Sequence, residues 1–328
     1  MTIGRVTTSQ IWASSNVNIQ TSKARVAQLS AQSSSGVLVS KPSDDPAASA
    51  SIMSVLNQQS ATTQYGTNIS DGQGWLSTAD STMTSAENLV RQAKDLAIQA
   101  GNSGTSSATT RTALATQLEG IRDDLLSAAN TQYNGRSVFA GTSDSSTAFD
   151  PTTFAYNGPT TSTTTTAADG TTSTTLSAVG SVERRIGPGS GDTVAVSADG
   201  LAAFGSGSTS VFAQIQNVID ALKSPTYDTD TSSTGPQATI TSGIDALGTA
   251  LTNISAQHSV VGANYARMTS AKTQNATTAT ALETQRSGLQ DADTTKTLLD
   301  LKTQELAYQT ALQVTAQVIQ PTLMSFLS

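Results

Sequence analysis

The chain has 328 residues, a length that suggests two or three domains. Its net charge is −7 and its sequence pI is about 4.6, so its surface repels nucleic acid and anionic membranes, and neither is expected as a partner. It has no cysteine, which excludes disulfides, thiolate metal sites and cysteine nucleophiles.

Targeting signals of the usual kinds are not visible in the sequence. No apolar run approaches the roughly 20 residues that a membrane helix needs, so membrane insertion is not expected. The first twenty residues contain neither the apolar region nor the cleavage site of a signal peptide. If the protein leaves the cytoplasm, a route without a cleaved signal must carry it.

The first predicted helix ends near Gly36, which follows three serines and suits the position after a helix C-terminus. A helix-start motif follows it, made of Pro42, Ser43, Asp44, Asp45 and Pro46. Asp45 suits the N-cap and Pro46 the first helical turn, where the helix dipole also favours negative charge. The next helix would run about 80 Å to Ala100. We expect a kink or break at its glycines, Gly66, Gly72 and Gly74.

Heptad spacing predicts how the long helices pack. Apolar residues seven apart form a seam whose members are Ile69, Leu76, Met83, Val90 and Ala97, with Ala79, Ala86, Ala93 and Ala100 three residues behind. A second helix follows the break at 102–104, with apolar residues from Leu114 to Ala128. A third seam has strict four-three spacing from Ile240 to Met268, and a last apolar stripe runs through Leu298, Leu301, Tyr308, Leu312 and Ile319. Helices this long need partners along these stripes.

The middle of the chain has a different character. Residues 136–141, 153–157 and 192–197 are strand candidates, and helical periodicity resumes near Ser210. Residues 159–175 contain ten threonines in seventeen positions and predict an exposed loop or edge ribbon. The predicted fold class is therefore mainly α: a long antiparallel coiled-coil-like helical bundle from both chain ends, with a small β-rich inserted domain. We expect this insert to project from the far end of the bundle.

Catalytic chemistry is not predicted. The single histidine, His258, falls on an apolar seam and is interpreted as a partly buried bundle residue. Asp44 and Asp45 could form a carboxylate pair, but a helix cap is preferred. Asp228 and Asp230 resemble the start of a calcium loop without its glycine and glutamate, so no metal and no cofactor is expected. Residues 183–185 form either a partner patch or a solvated strand face.

Both chain ends carry apolar residues and little charge. As isolated helices they would be marginal, so they are candidates for a subunit or partner interface. The candidate interface residues are Ile3, Val6, Ile11, Trp12, Leu312, Val318, Ile319, Leu323, Phe326 and Leu327. The alternative is that the two ends pair only with each other within one monomer.

Several of these segments resemble one known family. Ser34-Ser35-Gly36 followed by PSDDPAA at 42–48, the segment NGRSVFAG at 134–141 and the final helix from Leu306 are similar to the hook-associated protein 3 family of the flagellin superfamily. The resemblance covers residues 1–145 and 240–328. It implies terminal polymerisation helices at 1–42 and 285–328, a helical rod domain at 43–140 and 210–284, and a β-rich variable domain at 141–209.

The resemblance also implies a function. Such proteins are non-enzymatic adaptors at the hook–filament junction of the bacterial flagellum, on which flagellin assembles. They are exported through the flagellar type III channel without a cleaved signal. The implied partners are the other hook-associated junction protein, flagellin, further copies of the chain in a ring, and an export chaperone before secretion.

Three alternatives to this interpretation are open. A short flagellin, the bulk subunit of the filament, is the nearest. A secreted coiled-coil adhesin would self-associate without flagellar partners. An enzyme inserted at 141–209 is disfavoured, because that segment is short and poor in histidine and glutamate.

Overall fold

A computed structural model describes residues 8–102, 107–166 and 172–324. The helices are α1 (Thr8–Ser35), α2 (Pro46–Gly101), α3 (Ala108–Ala129), α4 (Gly200–Phe204), α5 (Val211–Lys223), α6 (Pro236–Gln290) and α7 (Thr294–Met324). The strands are β1 (Gln132–Tyr133), β2 (Arg136–Ser137), β3 (Thr160–Thr166), β4 (Thr172–Ala178), β5 (Glu183–Arg185) and β6 (Thr193–Ala195), paired as three antiparallel ribbons. The predicted mainly helical fold with a small β-containing middle is confirmed.

The chain divides into two compact units. Unit 1 comprises residues 1–60 and 278–328, and unit 2 comprises residues 61–277, so the boundary falls within α2 and α6. The predicted three-part division into terminal helices, rod and variable domain stays a prediction. Among the described helices, none is long and apolar enough to cross a membrane.

In unit 2, α2 and α6 run antiparallel. Asn275 donates to the carbonyl of Thr62, and further along the pair His258 lies against Glu87. The predicted α2 seam is confirmed, because Ile69, Leu76, Met83 and Val90 are buried. On α6 the seam is confirmed at every seventh residue, where Ile240, Leu247, Ile254, Val261 and Met268 are buried, but Tyr265 on the same seam is 41% exposed. The alanines three residues behind the α2 seam are also buried, which allows close approach of the neighbouring elements.

The glycines of α2 do not break it, so the expected break is wrong: the helix is continuous from Pro46 to Gly101. Gly72 and Gly74 instead permit close packing. A Cβ on Gly72 would overlap Met268, and one on Gly74 would overlap the hydroxyl of Tyr133. Each glycine lowers helix propensity by about 1 kcal/mol relative to alanine. Its missing side chain leaves room for side chains from other elements.

Helices α3 and α5 pack antiparallel in unit 2. Lys223 at the end of α5 binds Glu119 on α3 at 2.5 Å, and Arg122 further along α3 binds Gln216. Ser210 caps α5 by accepting a hydrogen bond from the amide of Ala213, which agrees with the predicted restart of helix.

Beyond α5, the chain is fixed by Asp228. Its carboxylate pairs with both terminal nitrogens of the Arg111 guanidinium at 3.2 and 3.0 Å. Asp228 is therefore a structural partner of α3, and the resemblance to a calcium loop has no counterpart in the described structure.

The β-containing middle matches the predicted strands only in part. Strand β2 takes two residues of 136–141, and β6 lies within 192–197. Residues 153–157 form no strand; Phe154 has φ +56°, and Asp150 accepts hydrogen bonds from the amides of Thr152 and Thr153, which makes a turn. The threonine-rich segment forms the exposed ribbon of β3 and β4, as predicted.

This middle region does not project from the far end of the bundle, and that expectation is wrong. Helices α3 and α5 run back along unit 2 and bring residues 130 and 210 level with residues 68–75 of α2. Arg184 on β5 binds Asp71 at 2.7 Å, and Val196 lies against Gly72. The region has a core of its own, in which Phe149 packs edge-to-face against Phe204 and Phe212 at centroid distances of 5.8 and 5.2 Å.

Candidate subunit interface

The connection between α1 and α2 is held to the connection between α6 and α7. Gly36 follows α1 with φ +69°, a left-handed conformation that glycine adopts without strain. Leu38 then donates its amide to the carbonyl of Gln290 at 2.7 Å, and Ala292 donates to the carbonyl of Gly36 at 2.8 Å. Val37 and Asp291 face each other as a short antiparallel bridge. Unit 1 thus joins its two helix connections by backbone hydrogen bonds.

The helix-start motif places its two aspartates in different roles. Asp44 turns back and accepts hydrogen bonds from the amide and hydroxyl of Ser40 and from the amide of Lys41, at 3.0–3.1 Å. The Ser40 amide, the Ser40 hydroxyl and the Lys41 amide together hold the pKa of Asp44 below its usual range. Asp45 turns forward and accepts from the amides of Ala47 and Ala48 at 3.0 and 2.9 Å.

Because the carboxylates diverge, they do not form an acid–base pair. Pro42 and Ser43 lie in the exposed turn between Lys41 and the start of α2. Pro46 is the first residue of α2. The motif therefore starts the 56-residue helix by satisfying amides that have no partner within the helix.

We expect Asp45→Ala to weaken the start of α2 by about 1 kcal/mol, because two amides lose their acceptor. The measurement is hydrogen exchange of the Ala47 and Ala48 amides, which should become faster. Asp45→Asn, which keeps an acceptor oxygen, is the matched control and should exchange like the unchanged chain. Equal exchange in all three chains would show that Asp45 is not the cap.

The terminal helices pair antiparallel in unit 1 and leave a groove between them. The groove encloses about 620 Å³ and is lined by small polar and apolar side chains without a charged group: Ser15, Asn18, Ile19, Thr303, Leu306, Ala307, Thr310, Ala311, Val314 and Thr315. Few residues of this helix pair are buried; among those described, they include Leu29 and Leu301. The uncharged lining of the groove suits contact with a further apolar helix stripe.

Large apolar side chains are exposed along the same two helices. Trp12 is 56% exposed and Leu312 is 42% exposed. The other exposed members on α1 and α7 are Val17, Leu298, Leu299, Leu306 and Val314. Large apolar side chains exposed on two paired helices make these helices a candidate interaction surface.

The predicted interface residues fall into three groups. Trp12 and Leu312 lie on this exposed surface. Ile11, Val318, Ile319 and Leu323 lie in α1 or α7, where the backbone alone is described. Ile3, Val6, Phe326 and Leu327 lie outside the described residues. The assignment of these residues to a subunit interface stays a prediction.

The groove itself was not apparent from the sequence pattern. Leu306 and Val314 are eight residues apart on α7, and Ile19 faces them from α1. A spacing of eight residues places Leu306 and Val314 on one face of α7. This face differs from that of the predicted apolar stripe through Leu301 and Leu312.

Residues 183–185 are occupied by contacts within unit 2. Arg184 lies above the Trp75 ring at 5.9 Å while it binds Asp71. Arg185 donates to the carbonyls of Gly187 and Pro188. These contacts engage both arginines within unit 2, although the Arg185 side chain is exposed.

The described side chains form no cluster suited to a metal ion. Among them, no group of three or more His, Asp or Glu residues could hold a metal ion. The groove between α1 and α7 contains no titratable group in its lining. This uncharged lining is suited to association with another apolar surface.

Two family models match the chain. The model for the bacterial flagellin N-terminal helical region matches residues 6–144, and the model for the bacterial flagellin C-terminal helical region matches residues 244–327. The matches cover both helical ends and leave out residues 145–243, which contain Phe149, Phe204 and Phe212, the threonine ribbon and α5.

Individual relatives carry a narrower name. Flagellar hook-associated protein 3 of Salmonella typhimurium is 32% identical over 155 residues, which is 47% of this chain and 49% of that protein. The chain thus matches about half the length of this relative. Flagellar hook-associated protein 3 of Escherichia coli is 26% identical over 306 residues, 93% of this chain and 94% of that protein.

Solved structures support the fold. FlgL of Bacillus cereus has a TM-score of 0.51 at 18% identity, over 71% of this chain and 99% of that one. The two terminal regions that the family models match also contain α1 and α7, whose apolar side chains are exposed. The two family models together match about two thirds of the chain, and the chain belongs to the flagellin superfamily, with hook-associated protein 3 among its relatives.

Proposed function

We propose that this protein is a structural adaptor at the hook–filament junction of the bacterial flagellum, on which flagellin assembles. The observation that carries the proposal is the exposed apolar surface of α1 and α7, in a chain whose relatives are hook-associated proteins 3. A protein that acts alone has little use for such a surface, whereas a subunit of a tubular assembly buries it against neighbours.

The mechanism is mechanical. Exposed side chains such as Leu306 and Leu312 become buried when subunits associate, which releases about 25 cal/mol for each Å² of apolar surface removed from water. Neutral lining of the α1–α7 groove removes any cost of burying charge. The surface that joins copies of the chain in a ring also contacts the other junction protein on one side and flagellin on the other.

The remaining parts of the proposal follow from this role. The protein acts outside the cell and reaches the flagellum by type III export without a cleaved signal. An export chaperone covers the apolar terminal helices before secretion, because they would otherwise associate in the cytoplasm. The protein is not an enzyme, and it needs neither nucleic acid nor membrane insertion.

The test is deletion of the gene in its host, followed by electron microscopy of hooks and assay of flagellin in the medium. Bare hooks and shed monomeric flagellin, both restored to normal by a plasmid copy of the gene, are the expected result. Normal filaments in the deletion strain would contradict the junction role and would favour a redundant flagellin. The amount of this protein per filament separates the two: a junction protein is confined to one end, and a short flagellin occurs along the whole length.

A further inference from the structure

The histidine at position 258 of α6 lies between two carboxylates of α2. It is the single histidine of the chain. Its Nδ1 is 3.0 Å from Glu87 Oε1, and its Nε2 is 3.0 Å from Asp80 Oδ1. Asp80 and Glu87 are seven residues apart and therefore share one face of α2. The imidazole thus spans two turns of the opposite helix within unit 2.

This arrangement requires a charged imidazole. A carboxylate accepts hydrogen bonds and cannot donate one, so each ring nitrogen must carry a proton. Neutral imidazole has one N–H group and can satisfy one carboxylate. The two carboxylates bind opposite nitrogens of the ring and do not converge on one point, which is the wrong geometry for a metal site.

The two ends of the arrangement differ in burial. The Glu87 side chain is 12% exposed and also accepts from Arg91 at 2.7 Å. The Asp80 side chain is 56% exposed. When one proton leaves, the N–H is better kept toward buried Glu87, because leaving a buried carboxylate without a donor is costly. The hydrogen bond that is lost is therefore the one to Asp80, whose carboxylate can turn into water.

Few other charges act on His258. On α6, no charged residue lies between Asp245 and Arg267. On α3, the charged side chains with described ion pairs are engaged elsewhere: Arg111 with Asp228, Glu119 with Lys223, and Arg122 with Asp123 and Gln216. The charged groups that face the imidazole are thus Asp80 and Glu87, with Arg91 beyond Glu87.

The protonated form is favoured in the folded chain. Burial lowers the pKa of His258, but its hydrogen bonds to Glu87 and Asp80 and the negative charges of both carboxylates raise it by more. The net pKa lies above the ordinary value of about 6.5.

We propose that His258 is a proton-operated clamp between α2 and α6, which holds both helices through Asp80 and Glu87 when charged and releases Asp80 when neutral. The sign follows from linkage. Because the pKa is higher in the folded than in the unfolded chain, the stabilisation is fully present below about pH 6.5 and is lost as the pH rises through the folded value. The clamp belongs to the folded chain and does not depend on the junction role.

The first test is NMR titration of the full chain, whose one histidine gives one ring Hε1 signal. The midpoint is expected above that of a histidine in an unstructured peptide. Asp80→Asn should shift the midpoint downward, and because Asp80 is exposed this variant keeps the fold. Asp95→Asn removes another exposed carboxylate of α2 and is the matched control, with the midpoint unchanged. A midpoint at or below the peptide value, or no shift in Asp80→Asn, would overturn the proposal.

The second test measures the local stability of α2. Hydrogen exchange of α2 around residues 76–91 is compared between the unchanged chain and His258→Gln at the same pH. Below the titration midpoint the variant should exchange faster, and above it the two should converge. A difference that is the same at both pH values would mean that His258 acts by packing alone and would contradict the clamp.

Discussion

Phe149→Ala is expected to destabilise unit 2 by about 3–5 kcal/mol, the range found for removal of a buried aromatic side chain. Phe149 is completely buried and contacts Tyr156, Phe204 and Phe212 with ring centroids 5.2–5.8 Å away. Its backbone amide donates to the side-chain oxygen of Asn130, which ties the cluster to the end of α3. Loss of this ring leaves a cavity in the middle of the cluster.

The measurement is urea unfolding followed by tryptophan fluorescence. The chain has two tryptophans, Trp12 in unit 1 and Trp75 in unit 2, so Trp12→Phe leaves Trp75 as the reporter of unit 2. In that background Phe149→Ala should lower the unfolding midpoint strongly. Leu176→Ala, at an exposed position of β4, is the control and should stay within about 0.5 kcal/mol. Equal midpoints for both variants would show that the phenylalanine cluster does not stabilise unit 2.

Leu312→Asp is expected to abolish filament growth while unit 1 and unit 2 stay folded. The side chain is 42% exposed in the monomer, so a charge there costs the isolated chain little, about 0.5 kcal/mol or less. In an assembled ring the same carboxylate would be buried without a partner, which costs several kcal/mol per subunit contact. Leu306→Asp, in the groove lining, should behave in the same way.

Complementation of the deletion strain provides the measurement. Filament number and length are scored by microscopy, and the variant protein is assayed in the medium to separate failed assembly from failed export. Leu176→Asp introduces the same change at a position that is 48% exposed on the threonine ribbon, and it should restore filaments. Normal filaments with exported Leu312→Asp would contradict a role of this surface in assembly.

The long helices could be predicted because their signal is local and repeated. Ile240, Leu247, Ile254, Val261 and Met268 recur every seven residues, and all are buried. Asp45 and Pro46 marked the start of α2 for equally local reasons, since an N-cap and a first-turn proline act on their own helix. The apolar chain ends were visible in the same way, as stripes without a partner in the sequence.

The core of the middle region could not be predicted by periodicity. Five of the six phenylalanines, at positions 139, 149, 154, 204 and 212, meet in space although they are up to 73 residues apart in a stretch of short strands and turns. The concentration of phenylalanine there was a compositional signal, but it indicates a core without giving its contacts. The path of α3 and α5 decides where this core lies, and no spacing reveals that path.

Two further contacts could not be predicted for the same reason. Glycine in a helix reads as a weak point when only its own propensity is considered, whereas Gly74 leaves space for Tyr133, which is 59 residues away. His258 is partly buried in the bundle, as its position on an apolar seam predicts. Its partners Asp80 and Glu87 lie on another helix, so the seam gave no sign of them. In both cases the deciding neighbour is distant in sequence.

The bridge between Val37 and Asp291 has a consequence for how load passes through unit 1. A pull on α1 reaches α2 through the covalent chain, and it reaches α7 through the hydrogen bond from Ala292 to the carbonyl of Gly36. The two connections therefore act as one joint, in which tension or torsion entering by either terminal helix is divided between both chain segments. In the proposed role between hook and filament, we expect this joint to resist the withdrawal of either terminal helix alone.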